Sequence, residues 1–205
     1  MDIRRDILII ACGALAREIN ALRKANDWAF DVKCLAPELH NHPQRIAPAV
    51  RERIRAHRGQ YRAIFVAYAE CGTMGQLDQV LAEEGVERLP GAHCYELYAG
   101  AATFAELADA EPGTFYLTDF LTRHFERLVI RGLGIDRHPE LAMEYFRHYR
   151  KLLYLAQERS GALMEQARQA AARLGLAFEY RFTGYGELGT RLATLAAGAA
   201  PTWQT

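Results

Sequence analysis

Three times between Ile7 and Leu81 a short, strand-like run rich in apolar residues stops abruptly and gives way to an amphipathic helix. Ile7-Leu8-Ile9-Ile10-Ala11 ends at Cys12-Gly13, and Leu15, Ile19 and Leu22 stripe the helix that follows. Phe30 to Ala36 ends at Pro37, and after the loop Pro37–Pro43 come Ile46, Val50 and Ile54 at helical spacing. Arg62 to Tyr68 ends at Glu70-Cys71-Gly72, before Met74, Leu77 and Leu81. The unbroken apolar run Ile7–Ala11 is of the kind buried on both faces of a parallel sheet, and three strand-helix units in a row make such a sheet with right-handed crossovers.

The pattern continues. Val86–Leu89 is a short fourth strand, turned through Pro90-Gly91-Ala92-His93-Cys94 into a helix. Thr114–Thr118 is a fifth strand with Asp119 at its end, followed by an aromatic-rich helical hairpin over 119–150. Leu152–Ala156 reads as another buried strand, and Leu176–Phe182 alternates as a sheet edge with one wet side does. The fold expected is α/β, an open and mostly parallel, Rossmann-like sheet of about five to seven strands with helices on both faces. Residues 1–196 are expected to form a single domain and 197–205, rich in Ala and Gly, a flexible tail. A chain of 205 residues buries roughly 70% of its unfolded surface, so its core needs neither metal nor disulfide, and any metal site is there for function.

Charge excludes some classes of partner. The 25 Lys and Arg balance 25 Asp and Glu, and no basic run stands out, so no nucleic-acid partner is expected. No apolar stretch approaches the ~20 residues that span a bilayer, and the sequence from Met1 to Asp6 lacks a signal-peptide apolar region; a cytoplasmic protein without a membrane partner is expected. The four cysteines are then free thiols, ligands or nucleophiles.

Three of them share one position. Cys12, Cys71 and Cys94 each stand just after a strand and at the start of a helix, which in a parallel sheet is the carboxyl rim where ligands bind. Helix N-termini favour thiolates, and thiolates bind soft or borderline metals: zinc, cobalt, iron or an iron-sulfur cluster are the cofactors in view. Cys34, inside a strand, reads as small apolar filler. Glu70, His93 and His40 are the candidate catalytic or helper residues at this rim, and Gly13, Gly72, Glu18, Glu96 and Asp119 candidate cofactor-binding residues, the glycines because backbone without a side chain can approach an anion. Whether such a chain is an enzyme stays open. A metal-free protein holding an anionic small molecule at the helix ends, with one cysteine as nucleophile, is one alternative; a non-catalytic adaptor is another. The aromatic hairpin containing Tyr116, Phe125, Tyr145, Phe146 and Tyr149 suits core packing or a homodimer better than a cofactor box.

Ala11-Cys12-Gly13 with Glu18, Leu39-His40 with Pro43, Tyr68 with Cys71-Gly72, Gly91 through Glu96, and Pro112 through Phe120 together resemble the domain-of-unknown-function family 1638, from about Ile7 to Leu195. The resemblance implies a setting rather than a mechanism: members are often encoded beside corrinoid-dependent methyltransferases, their corrinoid proteins and reactivation factors. Components of such a methyltransferase system are the partners it implies and a corrinoid a further cofactor, beside the small molecule or metallocofactor expected from the rim residues themselves.

Overall fold

The computed structural model describes residues 5–198, which form two compact units, residues 5–94 with 187–198 and Tyr95–Gly186. The segment from 199 onward, most of the expected tail, lies outside the described residues.

The first unit runs β1 (Arg5–Cys12), α1 (Ala16–Ala25), β2 (Phe30–Leu35), α2 (Ile46–His57), β3 (Tyr61–Ala67), α3 (Gln76–Glu84) and β4 (Glu87–Arg88). Its sheet has the order β2-β1-β3-β4 with every pair parallel. Leu8, Ile9, Ile10 and Ala11 are all completely buried. Successive strand residues face opposite sides, so β1 is covered on both faces, as its unbroken apolar run predicts. Ile19, Val50, Ile54, Leu77 and Leu81 supply the helix faces that cover the sheet, each burial contributing about 1.5–3 kcal/mol. Pro48 falls in the first turn of α2, where its missing N–H breaks no helical bond.

The strand order matters for the site. The chain leaves β1 for β2 at the edge, then returns past β1 to β3, so the connections out of β1 and β3 diverge to opposite faces. Between the carboxyl ends of these two strands lies the reversal point at which open α/β sheets bind their ligands.

The last turn of α3 is clamped to α2. The buried Glu84 carboxylate accepts from Arg55 Nε at 2.7 Å and Arg58 Nη2 at 2.6 Å. These two guanidinium contacts hold its pKa below the ordinary 4.5. A group depressed on folding contributes stability that is fully present above the unfolded value and lost as pH falls through the folded one. Glu84→Gln is therefore expected to lower the urea midpoint at neutral pH and to converge with the wild type in acid well below 4.5. A deficit that persists in acid would contradict this account.

In the second unit come α4 (Cys94–Ala99, entered from the first unit at Cys94), α5 (Ala101–Ala110), β5 (Thr114–Leu117), α6 (Asp119–Arg123), a π-helical segment Glu126–Arg131, α7 (Glu140–Phe146), β6 (Lys151–Ala156), α8 (Gly161–Leu174) and β7 (Ala177–Phe182). A separate parallel sheet has the order β5-β6-β7. The expected hairpin is the core of this unit: Phe125, Val129, Ile130, Ile135 and Phe146 pack with Leu117, Leu152, Tyr154 and the α8 residues Leu163 and Ala167. The wide π-helical turn allows Leu128, Val129 and Ile130, three successive residues, to be buried together. Finally α9 (Leu188–Ala196) rejoins the first unit, where Leu188, Leu192 and Leu195 are buried and Gly189 faces Leu22 of α1. Among the described residues no helix is long and apolar enough to cross a membrane.

Candidate functional site

At the end of β1 the Cys12 sulfur accepts the Ala14 N–H at 3.3 Å and so caps the single turn Gly13–Leu15. Gly13 is there for space: a Cβ on it would stand 2.6 Å from the Leu35 carbonyl oxygen and 2.8 Å from Pro37 Cδ. Only glycine lets this turn pass so close to the end of β2. The turn that leaves β2, Pro37–Asn41, thereby carries His40 against Cys12, with Nε2 at 3.7 Å and Nδ1 at 3.8 Å from the sulfur. His40 Nδ1 lies 3.0 Å from the Pro37 carbonyl oxygen, to which it donates. In the neutral ring this assignment leaves the lone pair on Nε2, the state in which imidazole binds a metal or accepts a thiol proton.

The carboxyl end of β3 supplies the opposite wall. Tyr68 is fully buried and its ring stacks on His40 with centroids 6.4 Å apart. Its hydroxyl faces the Cys12 thiol and makes no hydrogen bond of ordinary geometry among the described residues. Beyond it the loop is tightly wound, with Gly72 and Gly75 at φ +77° and +81° and the non-glycines Cys71 and Met74 at +53° and +54°. A non-glycine residue pays about 1–2 kcal/mol for that conformation. The Glu70 carboxylate holds the loop by accepting from the Gly72 N–H at 2.8 Å, the Thr73 hydroxyl at 2.5 Å and the Gly75 N–H at 3.1 Å. Burial alone would raise its pKa, but these three donors outweigh burial and lower it. The N–H groups of Glu70 and Cys71 donate to the Gly91 and Ala92 carbonyls, at 3.0 and 2.8 Å, binding the loop to the segment that ends in Cys94.

Cys12 and His40 thus meet at the β1/β3 reversal point, and Cys71 and Cys94 lie near enough to shift the ionisation of this pair and of each other. Burial pushes the Cys12 thiol up to about 12, against the partial relief of the Ala14 N–H and Tyr68. Burial also raises Cys94 well above the ordinary thiol value, and the neighbouring Cys71 and Cys12 raise it further. The buried Glu18 in the first turn of α1 adds its charge in the same direction at both. For His40, partial desolvation of the ring favours the neutral form, but the neighbouring Cys71 and the Pro37 carbonyl prevail and raise its pKa. Extra negative charge is unwelcome here, so Cys12 and Cys94 hold their protons.

The other candidate residues are placed as follows. Glu70 and Gly72 build the Cys71 loop, with the Glu70 oxygens turned toward their own backbone. His93 is exposed on the segment before Cys94. Glu96 sits half-buried in the first turn of α4 and Asp119 at the start of α6, both in the second unit. Asp119 is completely buried: Oδ1 accepts from the Tyr154 hydroxyl at 2.6 Å and the Gln157 N–H at 3.0 Å, and Oδ2 from the Glu158 N–H at 3.0 Å. Cys34, expected as filler, is exposed, because β2 is an edge strand and its middle is not covered. Among the described residues no three His, Cys, Asp or Glu side chains stand, as they are, in an arrangement that could hold a metal ion. Sequence reasoning missed Tyr68 as a site residue; the signal was a phenol directly after the apolar run Ala63–Ala67, where a buried hydroxyl needs a partner.

A family model described as "Protein of unknown function (DUF1638)" matches residues 34–192. That span takes in His40, Tyr68, Cys71 and Cys94 and starts after Cys12. No curated protein matches the chain.

Proposed function

Because the chain belongs to the DUF1638 family, whose function is unknown, its role must be read from its own residues, and we propose that it holds a soft or borderline metal ion, or a metal-containing cofactor, on Cys12, Cys71 and Cys94 with His40 as the nitrogen ligand. The observation that carries this reading is the Cys12–His40 contact at the reversal point of the sheet, with Cys71 and Cys94 near enough to act on the same groups electrostatically. Two supports accompany it. With Zn–S near 2.3 Å and Zn–N near 2.05 Å, a sulfur and a nitrogen on one tetrahedral ion stand about 3.6 Å apart; Cys12 Sγ and His40 Nε2 are 3.7 Å apart. The Pro37 carbonyl on Nδ1 is also the partner that fixes a ligating imidazole. Cys71 and Cys94 must move from their present positions to complete the set.

Zinc, iron or an iron-sulfur cluster suits these donors, and a bound group of this kind supplies Lewis-acid or redox chemistry. The chain's own part is to fix the ligands, to exclude water through Tyr68 and to release the thiol protons that the cation displaces. The one-carbon and corrinoid methyl-transfer setting implied by the family resemblance, in a reducing cytoplasm, is the context this proposal assigns to the site. A second reading rests on the Cys71–His40 contact and the strained Cys71 backbone: a metal-free thiol nucleophile with an imidazole base.

The test is elemental analysis and a visible spectrum on protein purified without oxygen or chelator. About one metal per chain is expected in the wild type and in Cys34→Ser, with a loss of about tenfold or more in Cys71→Ser. A metal-free wild type expressed with zinc and iron supplied, or equal content in all three, overturns the metal centre. Turnover abolished by alkylation of metal-free protein would then favour the nucleophile.

A further inference from the structure

The open edge of the second unit's sheet carries a self-complementary sequence. β7 is the terminal strand, and its residues are exposed apart from half-buried Phe178. The Ala177 and Thr183 N–H groups donate inward to the Arg150 and Ala156 carbonyls of the β6 side. Alternation along the strand then turns the backbone groups of Phe178, Tyr180 and Phe182 outward. These three aromatic residues are symmetric about Tyr180, and the flanking Glu179 and Arg181 are opposite in charge, so the segment Phe178–Phe182 is complementary to its own reverse.

We propose that β7 is a homodimer interface in which two copies pair antiparallel across a two-fold axis at Tyr180, joining two three-stranded sheets into one. In this register Phe178 meets Phe182, Tyr180 meets Tyr180, and Glu179 meets Arg181 on each side of the axis. The outward N–H and C=O groups of residues 178, 180 and 182 fall in the positions that exchange hydrogen bonds in an antiparallel pair. Glu179 and Arg181 fall in the intervening positions, where opposed side chains are closest and opposite charges stabilise. Arg181 has no ion pair or hydrogen bond among the described residues, whereas Glu179 reaches only inward, to Lys151 at 2.9 Å. Tyr180 and Phe182 are each 40% exposed, and Arg159 lies 4.0 Å over the Phe182 ring, a cation and an aromatic row on one flank. A parallel edge left open in this way is a template for another strand, and a two-fold axis closes it. Charge complementarity chooses a second copy of this chain over a strand from elsewhere.

Sedimentation velocity on the full chain tests it. The wild type is expected to be dimeric, and R181E, which sets Glu179 against a like charge twice, to weaken the dimer about tenfold or more. E179R is expected to do the same, and an equimolar mixture of R181E and E179R to dimerise again, because each supplies what the other lacks. R181E carries the test alone if E179R, which also loses Lys151, fails to fold by circular dichroism. A wild type that stays monomeric up to about 0.1 mM, or a dimer indifferent to R181E, overturns the proposal.

Discussion

Asp119→Ala is expected to destabilise the second unit by about 3–5 kcal/mol, a loss at the upper end of what a single substitution produces. The carboxylate ties the end of β5 to the end of β6, accepting from the Tyr154 hydroxyl and from the Gln157 and Glu158 amides, and it is fully buried. Alanine strands three donors that water cannot reach, each worth about 1–3 kcal/mol when left unpaired. Asp119→Asn should cost less, since it retains one oxygen while turning an N–H₂ toward backbone donors. Urea unfolding followed by hydrogen exchange at the Gln157 and Glu158 amides measures the effect; a change under about 1 kcal/mol would show that another group takes over the donors.

Gly13→Ala is expected to remove stability and site together. Its Cβ would overlap the Leu35 carbonyl oxygen and Pro37 Cδ, neither of which belongs to a flexible side-chain end. The ends of β1 and β2 must part, at a cost of about 2–4 kcal/mol. Pro37 also supplies the carbonyl that orients His40, so the same displacement moves His40 away from Cys12. A lower urea midpoint should therefore accompany loss of any metal bound at the thiols. An alanine variant with both properties unaltered would mean that the turn relaxes without moving His40.

Much of this arrangement is written locally. The strand-to-helix steps at Cys12, Cys71 and Cys94 depend on apolar runs and the residues that end them, so their common rim is legible in the order of residues alone. Partners far along the chain are another matter. Asp119 is readable as a rim carboxylate, but its donors lie 35 to 39 residues away, and no spacing rule turns it toward them. Glu70 is the reverse case: its three donors lie within five residues, but they become donors to it only because Cys71 and Gly72 enter the left-handed region. The division of seven strands between two sheets is equally silent, because β4 and β5 read alike as short strands and only β4 pairs with β3. Cys34 departs from its expected filler role for the same reason: burial of a strand residue depends on whether its strand is central, which strand order decides.

The return of α9 to the first unit has a bearing on how the protein is made. Every residue of the thiol region has been synthesised by Cys94, yet the helix bearing Leu188, Leu192 and Leu195 is made only after all of Tyr95–Gly186. During vectorial synthesis the intervening unit is therefore available to fold first, while the nascent sheet that carries Cys12, Cys71 and Cys94 waits with part of its apolar surface uncovered. Its thiols pass through that interval in the company of cellular oxidants and metals before the last helix closes over α1.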